Sequence, residues 1–136
     1  MNNTIKKVLI GVGLIIIVLF VFIVVTSVNN KKQKETEKLN NTLKEVATTF
    51  YKDYYYKVVL SSDRNKVVSF KDNGIKLTLN DLAKYKINEE DSILSQFKNY
   101  KTNENCDYYN TKVVIYPIEP YGDSDIRIET TVVCGI

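Results

Sequence analysis

The sequence contains no histidine and no tryptophan, and its first acidic residue is Glu35. Without histidine there is no imidazole acid or base, no Ser-His-Asp or Cys-His nucleophile and no histidine metal site. An enzyme would have to run on carboxylates or tyrosines, and no stretch spaces acids as a catalytic pair. The run Glu89-Glu90-Asp91 reads instead as the first turn of a helix, where the helix dipole favours negative charge. No catalytic residue, cofactor or metal ligand is therefore expected. Beyond Val28, sixteen Asp and Glu face fifteen Lys and two Arg. That part of the chain is near neutral and offers no nucleic-acid-binding face. At 136 residues the chain holds one domain's worth of sequence.

What is present is concentrated at the N-terminus. Val8–Val28 (VLIGVGLIIIVLFVFIVVTSV) is uncharged, and its only polar side chains are Thr26 and Ser27. At about 1.5 Å of rise per residue it is long enough for a hydrocarbon core of roughly 30 Å. Its β-branched residues would favour a strand in water, but in lipid the backbone must satisfy its own hydrogen bonds, and helix is expected. A cleaved signal peptide is the rival. Its apolar region is shorter, about 7–15 residues, and Val25-Thr26-Ser27 is a poor cleavage site. The expectation is an uncleaved single-pass anchor at 8–28, a short cytoplasmic tail at 1–7 and an extracytoplasmic domain at 29–136. Orientation is contested within the sequence. Lys31, Lys32, Lys34, Lys38 and Lys44 outnumber Lys6 and Lys7, which favours a cytoplasmic C-terminus. The two cysteines favour the opposite, and N-in, C-out is the orientation expected.

From Glu35, the residues Leu39, Leu43, Val46, Ala47, Phe50 and Tyr54 recur at steps of three and four, one apolar face of a helix. A helix from about 33 to 60 is predicted, continuous with the apolar one because no Pro or Gly interrupts 29–60, and ending at Ser61-Ser62-Asp63. Arg64–Gly74 allows a hairpin turn at Asp72-Asn73-Gly74 or, preferred, a short helix capped by Ser62 and stopped by Gly74. Ile75–Leu79 alternates as a strand. Thr78-x-x-Asp81 resembles a capping box opening a helix to about Tyr85. Asn88 caps a further helix, about 88–100, burying Ile93, Leu94, Phe97 and Tyr100. Thr111–Pro117 and Asp125–Cys134 alternate as an antiparallel hairpin, about 111–134, with Ile126, Ile128, Thr130, Val132 and Cys134 on one face and Pro120-Tyr121-Gly122-Asp123 as its turn. The fold class is thus α+β.

Cys106 and Cys134 are the only cysteines. With a turn centred near residue 120, facing positions sum to about 240, as these two do, and cross-strand Cβ atoms then lie roughly 4.5–5.5 Å apart. A disulfide is expected over two buried free thiols, and it points to the outer side of a membrane.

Four tyrosines, Tyr51, Tyr55, Tyr56 and Tyr121, form a candidate surface for protein or sugar contact, with core packing as the plainer account. Glu119, Asp123 and Asp125 flank the hairpin turn but are too few for a Ca²⁺ site. The Lys31-Lys32-x-Lys34 flank suits anionic headgroups.

The order of apolar helix, amphipathic helix, small sheet and C-terminal cysteine pair resembles type IV pilins and pseudopilins. The likeness rests on Val8–Val28, Leu39–Tyr54, the 111–134 hairpin and Cys106 with Cys134. It is architectural and implies a subunit of an envelope assembly. The Gly-aromatic processing site of such proteins and the glutamate that follows it have no counterpart, since Gly11 precedes Val12, Gly13 precedes Leu14 and no acid precedes Glu35. The abundance of Lys over Arg, with Asn and Ile, suits an AT-rich bacterial genome. The leading functional expectation is a membrane-tethered structural or interaction domain of the bacterial cell envelope, with a protein partner or a second copy of itself. A pilin-like subunit comes next, and a histidine-independent enzyme last. The sequence names no small-molecule ligand.

Overall fold

A computed structural model of the chain describes residues 3–85 and 90–135. It divides into two compact units, Met1–Glu35 and Thr36–Ile136, and helix α1 (Asn3–Phe50) contributes to both. In the first unit the β-branched run is helical. Every large apolar side chain from Ile15 to Val25 is exposed, from 45% at Val24 to 68% at Phe20. The Thr26 hydroxyl donates back to the carbonyls of Phe22 and Ile23, both at 3.0 Å, so it leaves no unmet donor on the helix surface. This helix is long and apolar enough to cross a membrane.

The second unit is a mixed α/β domain. Leu39, Leu43, Ala47 and Phe50 of α1 are buried, the face that the three- and four-residue spacing indicated. Beyond Phe50 the helix widens. Tyr51–Val59 is a π-helix, ended by Leu60 N–H donating to Tyr55 O (2.8 Å) and Ser62 N–H to Tyr56 O (2.9 Å). Ser61 and Ser62 are both left-handed, with φ of 54° and 55°. Ser62 therefore cannot take the extended conformation of an N-cap, and the expected cap moves one residue on. Asp63 (φ −78°, ψ 112°) caps α2 (Arg64–Ser69), its Oδ1 accepting from the Asn65 N–H at 2.9 Å. The short helix expected here over a hairpin is thus present. Gly74 follows it at φ +65°, and a Cβ there would lie 2.5 Å from Val114 Cγ1, so only glycine admits this close approach to the sheet.

Strand β1 (Ile75–Thr78) leads directly into α3 (Leu79–Tyr85). The capping box is reciprocal. Asp81 N–H donates to Thr78 Oγ1 (3.1 Å) and Thr78 N–H to Asp81 Oδ2 (2.8 Å). The bonds that the Thr78 N–H and then its hydroxyl (2.7 Å) donate to Asp81 Oδ2 hold the Asp81 carboxyl below its ordinary range. Helix α4 is Glu90–Leu94, much shorter than 88–100; Asn88 and Glu89, expected as its cap and first turn, lie outside the described residues. The helix ends in a tighter turn, Gln96 N–H donating to Ile93 O (3.2 Å) and Phe97 N–H to Leu94 O (3.0 Å), and the loop beyond is organised by Asn99. Its Oδ1 accepts from the N–H groups of Lys101 (2.8 Å) and Thr102 (3.3 Å), and the chain reverses through Asn103 at φ 59° into an isolated bridge between Lys98 and Asn105. Ile93 and Phe97 are buried nonetheless.

Strands β2 (Lys112–Pro117) and β3 (Ile126–Thr131) complete an antiparallel sheet of order β1-β2-β3. Central β2 buries Val113 and Ile115 fully. β3 lies at the edge, and its residues alternate between half-buried and exposed, with Ile126, Ile128 and Thr130 inward as expected. α1 and β3 are joined by Thr130 Oγ1 donating to Asn40 Oδ1 at 2.8 Å.

Candidate functional site

Two constellations of the second unit contain the residues singled out above. The first surrounds the disulfide. Cys106 and Cys134 are bonded, with Cα atoms 4.1 Å apart, but the ladder alone does not bring them together. Lys112 faces Thr131 and Pro117 faces Ile126, so facing positions sum to 243, not 240. The three-residue difference is taken up before β2. Asp107 Oδ1 accepts from the N–H groups of Tyr109 and Asn110, both at 3.0 Å, and Thr111 N–H donates to Asp107 O at 2.8 Å, closing a turn. Asp107 N–H then donates to Val133 O at 2.8 Å, which sets the cysteines side by side. Bonds from the Asn110 side-chain amide and backbone hold the Asp107 carboxyl below its ordinary range.

Asn99 ties this end together. It is 7% exposed, and its Nδ2 donates to Gly135 O (3.0 Å) and Cys134 O (3.4 Å) while Oδ1 serves the loop. Around it lies an open recess of about 260 Å³ lined by Asn99, Thr102, Glu104, Asn105, Asp107 and Cys134 among others. Nothing in the sequence singled out Asn99 or Asp107. The available signal was an Asx residue two or three places before the backbone donors it meets.

The second constellation is aromatic. Phe50 meets Tyr85 edge-on at 5.1 Å, and Tyr55 meets Phe70 likewise at 6.3 Å. Tyr51 lies 6.5 Å from Tyr55 and 5.9 Å from Tyr56. The structure does not place the four candidate tyrosines on one surface. Tyr51 is fully buried, whereas Tyr55, Tyr56 and Tyr121 are half-buried. The cause is the π-helix. A turn that closes one residue later carries Tyr51, Tyr55, Tyr56 and Leu60 toward the core and leaves Tyr54, expected on the core face, 39% exposed beside Val58 and Val59.

The Tyr51 hydroxyl is buried without a hydrogen-bond partner. Its pKa is pushed up to about 12, first by burial and then by the charges of Tyr56, Asp123 and Asp125; burial also raises that of Tyr55. Tyr121, at φ 68°, has the Arg64 guanidinium 5.7 Å from its ring centroid. In the β2–β3 turn, Asp125 Oδ2 accepts from Gly122 N–H (2.8 Å) and Asp123 Oδ1 from the Ser124 hydroxyl (2.9 Å). These carboxylates act as turn acceptors. Among the described residues, no three His, Cys, Asp or Glu side chains converge as a metal site would require. On the opposite face of the sheet Arg127 pairs with Glu129 and lies 4.2 Å over the ring of Tyr116.

No known protein family matches the chain, and no significant match is found among curated proteins or solved structures.

Proposed function

We propose that this protein is a single-pass membrane protein whose N-terminal helix anchors a disulfide-bonded domain on the extracytoplasmic side, where the domain serves as an interaction or structural module of the cell envelope. The observation that carries this reading is the stretch Ile15–Val25, whose large apolar side chains are all solvent-facing along a helix. In water that exposure is unfavourable by about 25 cal/mol per Å² of apolar surface, and in lipid the penalty vanishes. The Cys106–Cys134 bond supports the outward placement of the domain, because structural disulfides persist in oxidising compartments. Contact with a protein partner through the aromatic end of the domain is the mode of action that suits exposed Tyr54, Val58 and Val59.

The test is extraction and protection. The full chain should stay with membranes through alkaline carbonate washing, at a mass that retains residues 8–28. Protease added outside spheroplasts should reach the domain. Release by carbonate, or a mature N-terminus at Val28, would remove the anchor; protection from external protease would reverse the orientation.

A pilin- or pseudopilin-like role is the second reading. It is favoured by the continuity of α1 from the apolar run to the helix face that covers the domain's core. Recovery of the chain in sheared filaments, or in complex with an envelope secretion machine, would favour it over the first.

A further inference from the structure

The helix that ends at Val59 carries two hydrophobic patterns, and the observed fold uses one of them. Continued at α-helical spacing from Phe50, the core stripe of α1 falls on Tyr54 and Val58. The π turns instead bring Tyr51, Tyr55, Tyr56 and Leu60 inward, with Leu60 only 3% exposed. Val58 and Val59 are left in solvent at 61% and 43%. Tyr54 lies on the rim, its ring 5.6 Å from Phe50 and 5.5 Å from Tyr85.

The observed arrangement carries a cost at each end. At its start the Tyr51 hydroxyl enters the core with no partner, and an unpaired buried hydroxyl is unfavourable. At its finish two consecutive serines are left-handed, a conformation that L-residues avoid. Its gains are the burial of Leu60 and the two turn bonds by which Leu60 and Ser62 reach back five and six residues. An α-helical path through the same residues would exchange Leu60 for Val58 in the core and would not need the wide turn. π-helices are rare and appear mostly as single-turn bulges, which are frequent at functional sites.

We propose that segment 51–60 is a two-state element. It is π-helical as described here and α-helical in a second state, in which Tyr54 and Val58 face the core in place of Tyr55, Tyr56 and Leu60. The two helices close their turns at different residues, so the switch re-aims the chain that follows, including the Asp63 cap and α2. α1 runs into the element without a break at Phe50. A partner that covers Val58 and Val59 binds the π state alone and shifts the population toward it.

Relaxation-dispersion NMR on the full-length chain in detergent micelles tests this. A lysine at 58 is solvated in the π state and buried in the α state, so Val58→Lys removes the α state selectively. The amides of Tyr55–Leu60 should show exchange broadening in the wild type and lose it in Val58→Lys, while those of Val113 and Ile115 in β2 show none in either protein. Val58→Ser should act in the same direction, more weakly. Absence of exchange broadening at 55–60 in the wild type, or its persistence in Val58→Lys, overturns the proposal. So does loss of the folded β2 resonances in Val58→Lys, because a side chain exposed in the π state could not unfold the domain when replaced by lysine.

Discussion

Two stretches of α1 have the same backbone and opposite surroundings. Around Ile15–Val25 the apolar side chains point outward on every side, whereas from Leu39 to Phe50 one stripe is buried and the rest is polar. The first stretch is made of residues with modest helix propensity, and in the membrane setting proposed above it would be held helical because the backbone must bond to itself where water is absent. The second is a helix because Leu39, Leu43, Ala47 and Phe50 have a core to cover. One continuous element can therefore be held by two unrelated forces, and substitutions should separate them.

The largest expected effect belongs to the domain alone. Replacing Cys106 and Cys134 together by Ala removes a link across 28 positions of sequence, and by chain entropy that costs about 3–4 kcal/mol of domain stability. The fold should persist, because Ile93, Phe97, Val113 and Ile115 remain to bury the sheet. Urea unfolding followed by tyrosine fluorescence measures the loss. A loss near zero would mean that the Asn99 bonds and the Asp107 turn already hold the chain ends together in the unfolded ensemble.

Next comes the direct contrast between the two stretches. Leu43→Ala opens a cavity at a fully buried site and should cost about 3 kcal/mol. Ile17→Ala, at a site 60% exposed, should leave the unfolding midpoint of the domain where it was. Equal losses from the two would break the comparison, since Ile17 would then be packed against something in the folded protein.

A smaller effect is confined to alkaline pH. The Tyr51 phenol titrates near 12 when folded and near 10 when unfolded. Between those values the unfolded chain has released a proton that the folded one still holds. Stability therefore falls as pH rises from about 10 to about 12, by about 2 kcal/mol in total, and the contribution is intact below 10. Tyr51→Phe should remove that part of the slope, and it should raise stability at neutral pH by about 1 kcal/mol, since no buried hydroxyl is left unpaired. Denaturant midpoints of both proteins at pH 8, 10 and 11.5 check this. Parallel curves would place the hydroxyl in contact with solvent.

Much of this was legible in the sequence because the relevant signals are local. The stripe of α1, the Thr78–Asp81 box, the alternation in β3 and the glycine stop at Gly74 each depend on residues a few places apart. The failures arise where a non-local or competing term decides. The π turns depend on which aromatic set the core accepts, and both Tyr54 with Val58 and Tyr55 with Leu60 are plausible by spacing. Helix α4 ends at Leu94, and the chain beyond it pairs with a later segment instead, Cys106 N–H donating to Phe97 O and Asn99 N–H to Glu104 O. The cysteines were paired correctly by an arithmetic that the ladder does not obey, since the Asp107 turn makes up the difference. Of the two accounts of the candidate tyrosines, core packing with a rim matches the burial of Tyr51 and the half-burial of Tyr55, Tyr56 and Tyr121, whereas a single tyrosine surface does not.

The smallest effect tests how short helices differ from α1. A long helix loses little from an imperfect end, whereas α2 has only six residues and cannot nucleate by itself. Its start depends on Asp63, whose Oδ1 meets the Asn65 N–H at 2.9 Å and the Lys66 N–H at 3.5 Å. Asp63→Ala should cost about 1 kcal/mol, and Asp63→Asn, which keeps the acceptor, should cost less. Ser62→Ala should be nearly silent, because Ser62 is left-handed and its main-chain bond to Tyr56 O does not involve the side chain. Ser62→Gly should even be mildly stabilising, since glycine adopts that conformation without penalty. Thermal melts of the four variants rank them. A loss at Ser62→Ala equal to that at Asp63→Ala would show that the Ser62 hydroxyl carries the cap, and that the chain leaves the π turns by a different path.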